Sequence, residues 1–597
     1  MVLAEFSNTT GDPVFDGTLK QALAVDLEQS PFLRVVPPAR VQQALGFMGR
    51  PVNERLTSDV ARELCQRVGS KAMLSGSVAS MGSQYVLTVN ATNCQTGDSL
   101  AQEQAEAASK EKVLAALGSA ASKLRGRLGE SLGSIQKFDA PIEQVTTSSL
   151  EALKAFALAS AEFDQGKEME SLPFYRRAVE LDPNFAVVYA RMGVIYNNAG
   201  ESGAAIENTR KAYELRDRVS EREKLYITDH YYDTVTGELD KTIETLQLYG
   251  RTYPNDSIPP NNLSVGYEQM GDFEKAAEQA RASIRIDPNL ANGRANLAYA
   301  YMALNRWDEA WQTTEQSLAQ FPNGESLHWT AYFGAMAQGK TAIGERELAW
   351  AKGKPEEYRF INTQARAMQE QGKLQLSREL VQHALELEKN QDLKEVESDH
   401  LGWLAMVQAD FGVCGQAGSN AAALAANPNR SASTFSGFVF ATCGPAQKAQ
   451  AAAAELDKKY PLDTFAQKSD IPQIRARVEL QKGNGAKALE ELHPAEAYQF
   501  GYVEWGVPAY LRGLAYLQNK QGAQAAAEFQ KVLDHKGALG PSPYLALSTL
   551  GLGRAAALSG DPAKARTAYQ DFFTMWKGAD ADLPILKAAK AEYEKLR

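Results

Sequence analysis

Two hydrophobic rhythms divide the chain. In the first stretch, short apolar runs alternate with four-residue spacings, the mark of strands interleaved with helices. Val2-Leu-Ala-Glu-Phe6 reads as a strand, and after a Gly-Asp-Pro turn Phe15, Leu19, Leu23 and Leu27 line one helix face. Phe32–Val36 reads as a second strand closed by Pro37-Pro38, followed by a short helix over Arg40–Leu45. A further helix starts with Thr57 or Ser58 as its N-cap. Ala72–Ser80 and Tyr85–Thr92 form a hairpin around Met81-Gly82-Ser83, and Ser99–Ala107 adds a third antiparallel strand. A helix over Lys110–Leu132 completes the predicted order β-α-β-α-α-β-β-β-α, an α/β domain over residues 1–137.

From about Thr146 onward the rhythm is helical and repeats. Pro254, Pro288 and Pro322 are 34 residues apart. Between them Leu263, Tyr267, Gly271 and Ala276 return in phase as Leu297, Tyr301, Asn305 and Ala310. Gly166, Tyr175 and Ala178 fit the same phase ahead of Pro183. A 34-residue helix-turn-helix period with a small residue at its turn is the tetratricopeptide signature, and such units must stack because none buries its own apolar face. The predicted fold is therefore an α/β N-terminal domain followed by an all-α tetratricopeptide superhelix. Regular repeats are expected over 138–330 and degenerate ones over 331–597. Turns are expected at Gln371-Gly-Lys373, Cys443-Gly-Pro445, Lys482-Gly-Asn484, Lys520-Gln-Gly522 and Ser559-Gly-Asp561. Ala331–Tyr358 and the loop before Glu504 fit the period poorly, and irregular repeats are expected there.

Composition narrows the function classes. With 63 basic and 73 acidic residues the net charge is −10, which disfavours a nucleic-acid or anionic-membrane surface. No apolar run is long enough to span a bilayer, and Met1–Phe6 lacks a secretory signal's basic start and apolar core. The chain opens directly inside a strand, which suggests a fragment of something larger. The loop Asn8–Leu23 is not a phosphate cradle: Gly17 is followed by Thr18 and Leu19, so Lys20 comes too late, and Asp12 and Asp16 would repel an anion. Asn8, Asp12 and Asp16 suit turn and cap bonding instead. The histidines at 230, 328, 383, 400, 493 and 535 are scattered, and no nucleophile or dinucleotide motif is present. The reading is of a non-enzyme with no metal and no cofactor. Cys65, Cys94, Cys414 and Cys443 fall as two pairs, open to two local disulfides or to four buried thiols.

What remains is surface. First helices of tetratricopeptide units line a concave groove, and the phase puts Asn197, Asn198, Asn261, Val265, Glu268, Asn292, Asn296, Tyr299 and Met302 there. Asparagine offers a donor and an acceptor, suited to an extended peptide backbone, or to capping a helix or binding water. Phe156, Ser160 and Ala190 stand where some relatives place a Lys/Asn/Arg clamp for a C-terminal carboxylate, which disfavours a chaperone-tail adaptor.

Glu5–Leu19 (EFSNTTGDPVFDGTL), Gln29–Leu33 (QSPFL) and Gly76–Val86 (GSVASMGSQYV) resemble the TolB N-terminal-like domain that precedes tetratricopeptide arrays in bacterial signalling proteins. With Tyr510–Tyr516 (YLRGLAY), Ala526–Lys536 (AAEFQKVLDHK) and Ala565–Asp571 (ARTAYQD), they resemble the non-kinase region of acidobacterial-type transmembrane Ser/Thr kinases. In those relatives a kinase domain and a membrane helix precede this region. The resemblance thus implies an extracytoplasmic sensor or scaffold, the periplasmic side of the inner membrane, and a protein or peptide ligand. This sequence carries none of the kinase motifs V-A-I-K, H-R-D-x-x-x-x-N or D-F-G. An oxidising periplasm would favour the pairs Cys65–Cys94 and Cys414–Cys443. The alternatives are a free-standing periplasmic scaffold in envelope assembly, or the regulatory half of a cytoplasmic transcription factor or cyclase.

Overall fold

The computed structural model describes residues 1–163 and 167–596; Gly166, assigned above to a repeat turn, lies outside the described residues. The chain forms two compact units, one of Met1–Val235 with Asp240–Asp256, the other of Thr236–Leu239 with Ser257–Arg597.

The first unit begins with a sheet. Strands β1 (Val2–Leu3) and β2 (Ser7–Asn8) both run parallel to β3 (Ala72–Met81), with Val2 opposite Met73 and Ser7 opposite Ser77. Strands β4 (Gln84–Asn93) and β5 (Ser99–Ala107) extend it as an antiparallel meander. Met81 pairs with Gln84, so the hairpin loop is Gly82-Ser83, with Gly82 at φ 67° as a two-residue turn requires. Alternation splits the sheet between two cores. Leu3, Phe6, Leu74 and Val78 join Leu19, Leu23 and Leu27 of helix Thr18–Glu28, the apolar face the spacing predicts, and Phe15, which lies ahead of that helix in the 3₁₀ turn Pro13–Phe15. Val2, Ala4 and Met73 face helices Pro38–Phe47 and Ser58–Arg67 instead. Helices therefore cover both faces of the sheet. A disulfide between Cys65 and Cys94, Cα atoms 5.8 Å apart, ties helix Ser58–Arg67 to the end of β4.

Two sequence expectations need correction. Phe32–Val36 is not a strand: β1 and β2 already occupy the free edge of β3, and the outer segment bonds there only to Met1, through Val36 N to Met1 O at 2.8 Å and Met1 N to Arg34 O at 2.5 Å. The helix expected over Lys110–Leu132 is Val113–Arg127, with a separate helix over Leu132–Phe138. Gly129 at φ 102° breaks it, with Glu130 N bonding back to Arg125 O. The opening loop does turn and cap work. Asn8 Oδ1 accepts from Thr10 N, and Asp12 Oδ1 accepts from Val14 N to cap a 3₁₀ turn.

The sheet's core continues without a break into helices Leu150–Phe163, Glu168–Leu181 and Ala186–Asn198, where Phe156, Tyr175 and Phe185 are buried beside Leu153. Small residues set the close approach of paired helices: a Cβ on Gly193 would lie 2.4 Å from Thr209 Oγ1.

The second unit is a run of helix pairs, starting with Ile258–Met270 against Phe273–Ile286 and reaching Pro543–Leu558 against Pro562–Met575, capped by helix Pro584–Glu594. All five expected turns join paired helices. Residues 331–358, expected to be irregular, instead lie largely in an ordinary pair, Glu325–Gln338 and Thr341–Ala351, with Gly339 at φ 65° ending its first helix. The segment before Glu504 is irregular, a 3₁₀ turn over His493–Ala497 followed by a loop. Cys414 and Cys443, Cα atoms 5.3 Å apart, form a disulfide between the helix starting at Cys414 and the one ending at Cys443.

Candidate peptide-binding face

The first helices of consecutive pairs lie side by side in the second unit, so residues one period apart meet. Asn296 Nδ2 donates to Asn261 Oδ1 at 3.3 Å, 35 residues away, and Ser326 Oγ donates to Asn292 Oδ1 at 3.0 Å, 34 residues away. Asn292 is exposed, Asn261 and Asn296 are half-buried, and Val265 beside them is 37% exposed. Asn292 and Asn296 are four residues apart on helix Ala291–Ala303, so their side chains share one face. Neither Asn296 Oδ1 nor Asn292 Nδ2 has a protein partner among the described residues, which leaves one acceptor and one donor on an open polar strip. Ser326 belongs to this strip and was missed; carrying the phase of Asn292 one repeat further would have found it.

The other half of the same helices is closed by the chain itself. Glu268, Tyr299 and Met302 are 6%, 4% and 0% exposed. Tyr502 N donates to Glu268 O at 3.0 Å, and its ring meets Tyr299 edge-on at 5.5 Å. Tyr299 Oη donates to Ala538 O at 3.3 Å. The covering segments are the irregular loop before Val507 and the short helix Lys536–Leu539. Periodicity places a residue on the inner face of its helix but is blind to which distant segment lies over it.

Closure puts ionisable groups in a dry interior. Burial pushes the Glu268 carboxyl up to about 8 and that of Glu370 up to about 7, because desolvation penalises the anion. Glu504 is also raised, by burial and by the nearby Asp470 charge, while its Oε2 accepts from Gln473 Nε2 at 2.9 Å. Structural ion pairs surround them: Arg430 bonds Asp463 and Asp470, and Arg477 bonds Asp410 at 2.6 Å. Two histidines serve packing. His328 Nδ1 lies 2.5 Å from Glu347 with its ring stacked on Trp350, and His535 stacks on Phe500. Among the described residues no group of three or more His, Cys, Asp or Glu side chains could hold a metal ion, and no helix is long and apolar enough to cross a membrane.

In the first unit Asn197 and Asn198 are exposed at the end of helix Ala186–Asn198, and Asn198 Nδ2 donates to Glu168 Oε2 at 3.1 Å. Of the nine groove residues, the strip brings together Asn261, Asn292 and Asn296 alongside Val265.

Family models agree with the helical repeats. Tetratricopeptide-repeat models match residues 268–338 and 174–207. Anaphase-promoting complex subunit 3 of Schizosaccharomyces pombe is 24% identical over 188 residues, 31% of this chain and 28% of that protein, so the chain spans under a third of that relative's length. Among solved structures, the APC/C hetero-tetramer Cut9-Hcn1 covers 76% of this chain and 86% of that one at 12% identity and TM-score 0.42. Yeast Tom70 covers 74% and 95% at 14% identity and TM-score 0.25. The chain combines a small N-terminal sheet region with a tetratricopeptide-like helical solenoid. Its repeats make it a protein–protein interaction module.

Proposed function

We propose that the second unit binds an extended peptide along the strip formed by Asn261, Val265, Asn292, Asn296 and Ser326. The carrying observation is the pairing of side chains one repeat apart with an acceptor on Asn296 and a donor on Asn292 left over. Such a pair on one helix face suits the alternating N–H and C=O groups of an extended backbone. The test is selection of binding peptides from a display library against the full chain, followed by titration of the double variant Asn292→Leu, Asn296→Leu. Affinity about tenfold weaker or worse is expected, since each lost hydrogen bond is worth about 1 kcal/mol. Undiminished binding by a variant with unchanged thermal stability would sink the reading.

We further propose that the protein works outside the cytoplasm as a non-catalytic sensor or scaffold. Two joined cysteine pairs support this, because disulfides persist in oxidising compartments. The kinase resemblance of the regions quoted above makes a receptor-type kinase the proposed setting. Alkylation of source cells before lysis, then mass measurement, tests the compartment: four alkylated thiols would rule it out. Fractionation with an antibody to residues 140–330 tests the setting. A membrane-bound species heavier than the 65.1 kDa chain is expected, and a soluble one of that mass would exclude a receptor kinase.

A further inference from the structure

Arg366 stands on helix Glu357–Glu370 in the second unit. Its guanidinium carbon lies 3.8 Å from the ring centre of Trp505 and 4.6 Å from that of Trp403. The two indoles are themselves 6.4 Å apart and nearly perpendicular. Nε and Nη2 are buried without a hydrogen-bond acceptor, although the residue as a whole keeps part of its surface open to solvent. No carboxylate forms a hydrogen bond or ion pair with it among the described residues, although Glu370 is near enough to be felt electrostatically. Glu370, one helical turn on, spends its Oε2 on Ser542 N at 3.2 Å. The other large arginines of this interior are all paired: Arg430, Arg477 and Arg512 each bond a carboxylate. An arginine without an acceptor is the exception here. It costs desolvation that stacking on the rings offsets only in part.

The loop carrying Trp505 turns sharply at the site. Trp505 sits at φ 50°, a left-handed conformation that is unfavourable for a bulky side chain, and Gly506 follows at φ 76°. Backbone strain of this kind persists only where the surrounding packing holds it. Trp403 is held from the other side, its Nε1 donating to Gln369 Oε1 at 2.9 Å. Two rings are thus fixed around a planar cation whose donors Nε and Nη2 form the edge that grips a carboxylate bidentately.

We infer that Arg366, framed by Trp403 and Trp505, is a binding site for a carboxylate. Its single positive charge, with the Glu370 carboxyl one helical turn away, fits a monoanion better than a phosphate dianion. The position is unrelated to that of the Lys/Asn/Arg clamp, which is missing in phase here. The site stands independently of the asparagine strip. Its ligand is either a free carboxylic acid or the carboxylate of a peptide.

All seven tryptophans fall between Trp307 and Trp576, so indole fluorescence reports this unit. The full chain is titrated with N-acetylglycine and with its amide. Saturable quenching by the acid and none by the amide is expected. Arg366→Met should abolish it, and Arg366→Lys, which keeps the charge but not the fork, should weaken it about tenfold. Should the methionine variant fail to fold, the lysine variant decides. Equal quenching by acid and amide, no saturable quenching, or an unchanged response in Arg366→Lys would overturn the proposal. A hexapeptide ending in a free carboxylate separates the sources: much tighter binding than N-acetylglycine assigns the site to a peptide, and equal binding assigns it to a free acid.

Discussion

Asn305 bridges to a segment more than two hundred residues further along the chain. Its Nδ2 donates to Asp534 O at 2.8 Å, and its Oδ1 accepts from Gly537 N at 3.2 Å. It does so from φ 57°, the left-handed turn that its repeat requires and that Gly271 supplies one repeat earlier. Asparagine tolerates that conformation and adds a side chain, so one residue serves both the repeat turn and the closure of the interior.

Replacing Asn305 separates the two roles. Asn305→Gly keeps the turn and loses both bonds, for an expected loss of about 1–3 kcal/mol. Asn305→Ala adds left-handed strain of about 1–2 kcal/mol. Urea denaturation of the full chain followed by tryptophan fluorescence should rank wild type above glycine above alanine. A glycine variant equal to wild type would show that the bridge contributes nothing.

Close approach makes a second contrast. A Cβ on Gly537 would lie 1.8 Å from Met302 O, whereas Gly418, inside helix Cys414–Ala426, has nothing within 4 Å of its Cβ position. Gly537→Ala should destabilise the second unit by about 3 kcal/mol or more. Gly418→Ala should stabilise it by about 0.5–1 kcal/mol by removing backbone freedom from the unfolded chain. The same fluorescence-monitored unfolding reads both, and an innocuous Gly537→Ala would contradict the packing described here.

Each disulfide closes a loop with a sequence separation of 29. Loop-closure entropy makes each worth about 3–4 kcal/mol. Reduction should lower both the melting temperature and the denaturant midpoint. Cys65→Ser with Cys94→Ser should leave the fluorescence-detected transition of the second unit in place, whereas Cys414→Ser with Cys443→Ser should shift it to lower urea.

Glu268 gives the second unit a pH dependence of definite sign. Its carboxyl rises from 4.5 in the unfolded chain to about 8 when buried, so between those values the folded state holds a proton that the unfolded state has released. Stability contributed by this group is present below about 4.5 and is lost as pH rises towards 8, at up to about 1.4 kcal/mol per pH unit. Glu268→Gln, neutral throughout, should flatten that slope. Parallel stability curves for wild type and variant between pH 5 and pH 8 would refute it.

Much of this molecule is written locally. The four-residue spacing of Leu19, Leu23 and Leu27 and the 34-residue spacing of Pro254, Pro288 and Pro322 specify their helices, because a helix must bury one face wherever it sits. The β3–β5 meander was legible for the same reason: alternation and a Gly-Ser turn are properties of adjacent residues. Phe32–Val36 differs from its expectation because its composition suits a strand while the sheet offers it bonds to Met1 alone. The candidate site was half legible. Asn292 and Asn296 share a face by spacing alone, but nothing near Tyr299 in sequence reveals Tyr502 or Ala538 above it.

The division has one physical origin. Helix periodicity, turn glycines and repeat phase depend on interactions over a few residues, and these the sequence by itself determined. Tertiary structure alone decided which first-helix residues stay open, which carboxyls become dry enough to hold protons, and that Arg366 meets two indoles rather than an acid. Those outcomes depend on contacts between segments far apart in the chain, from a few tens of residues to more than two hundred, where local preference carries no information.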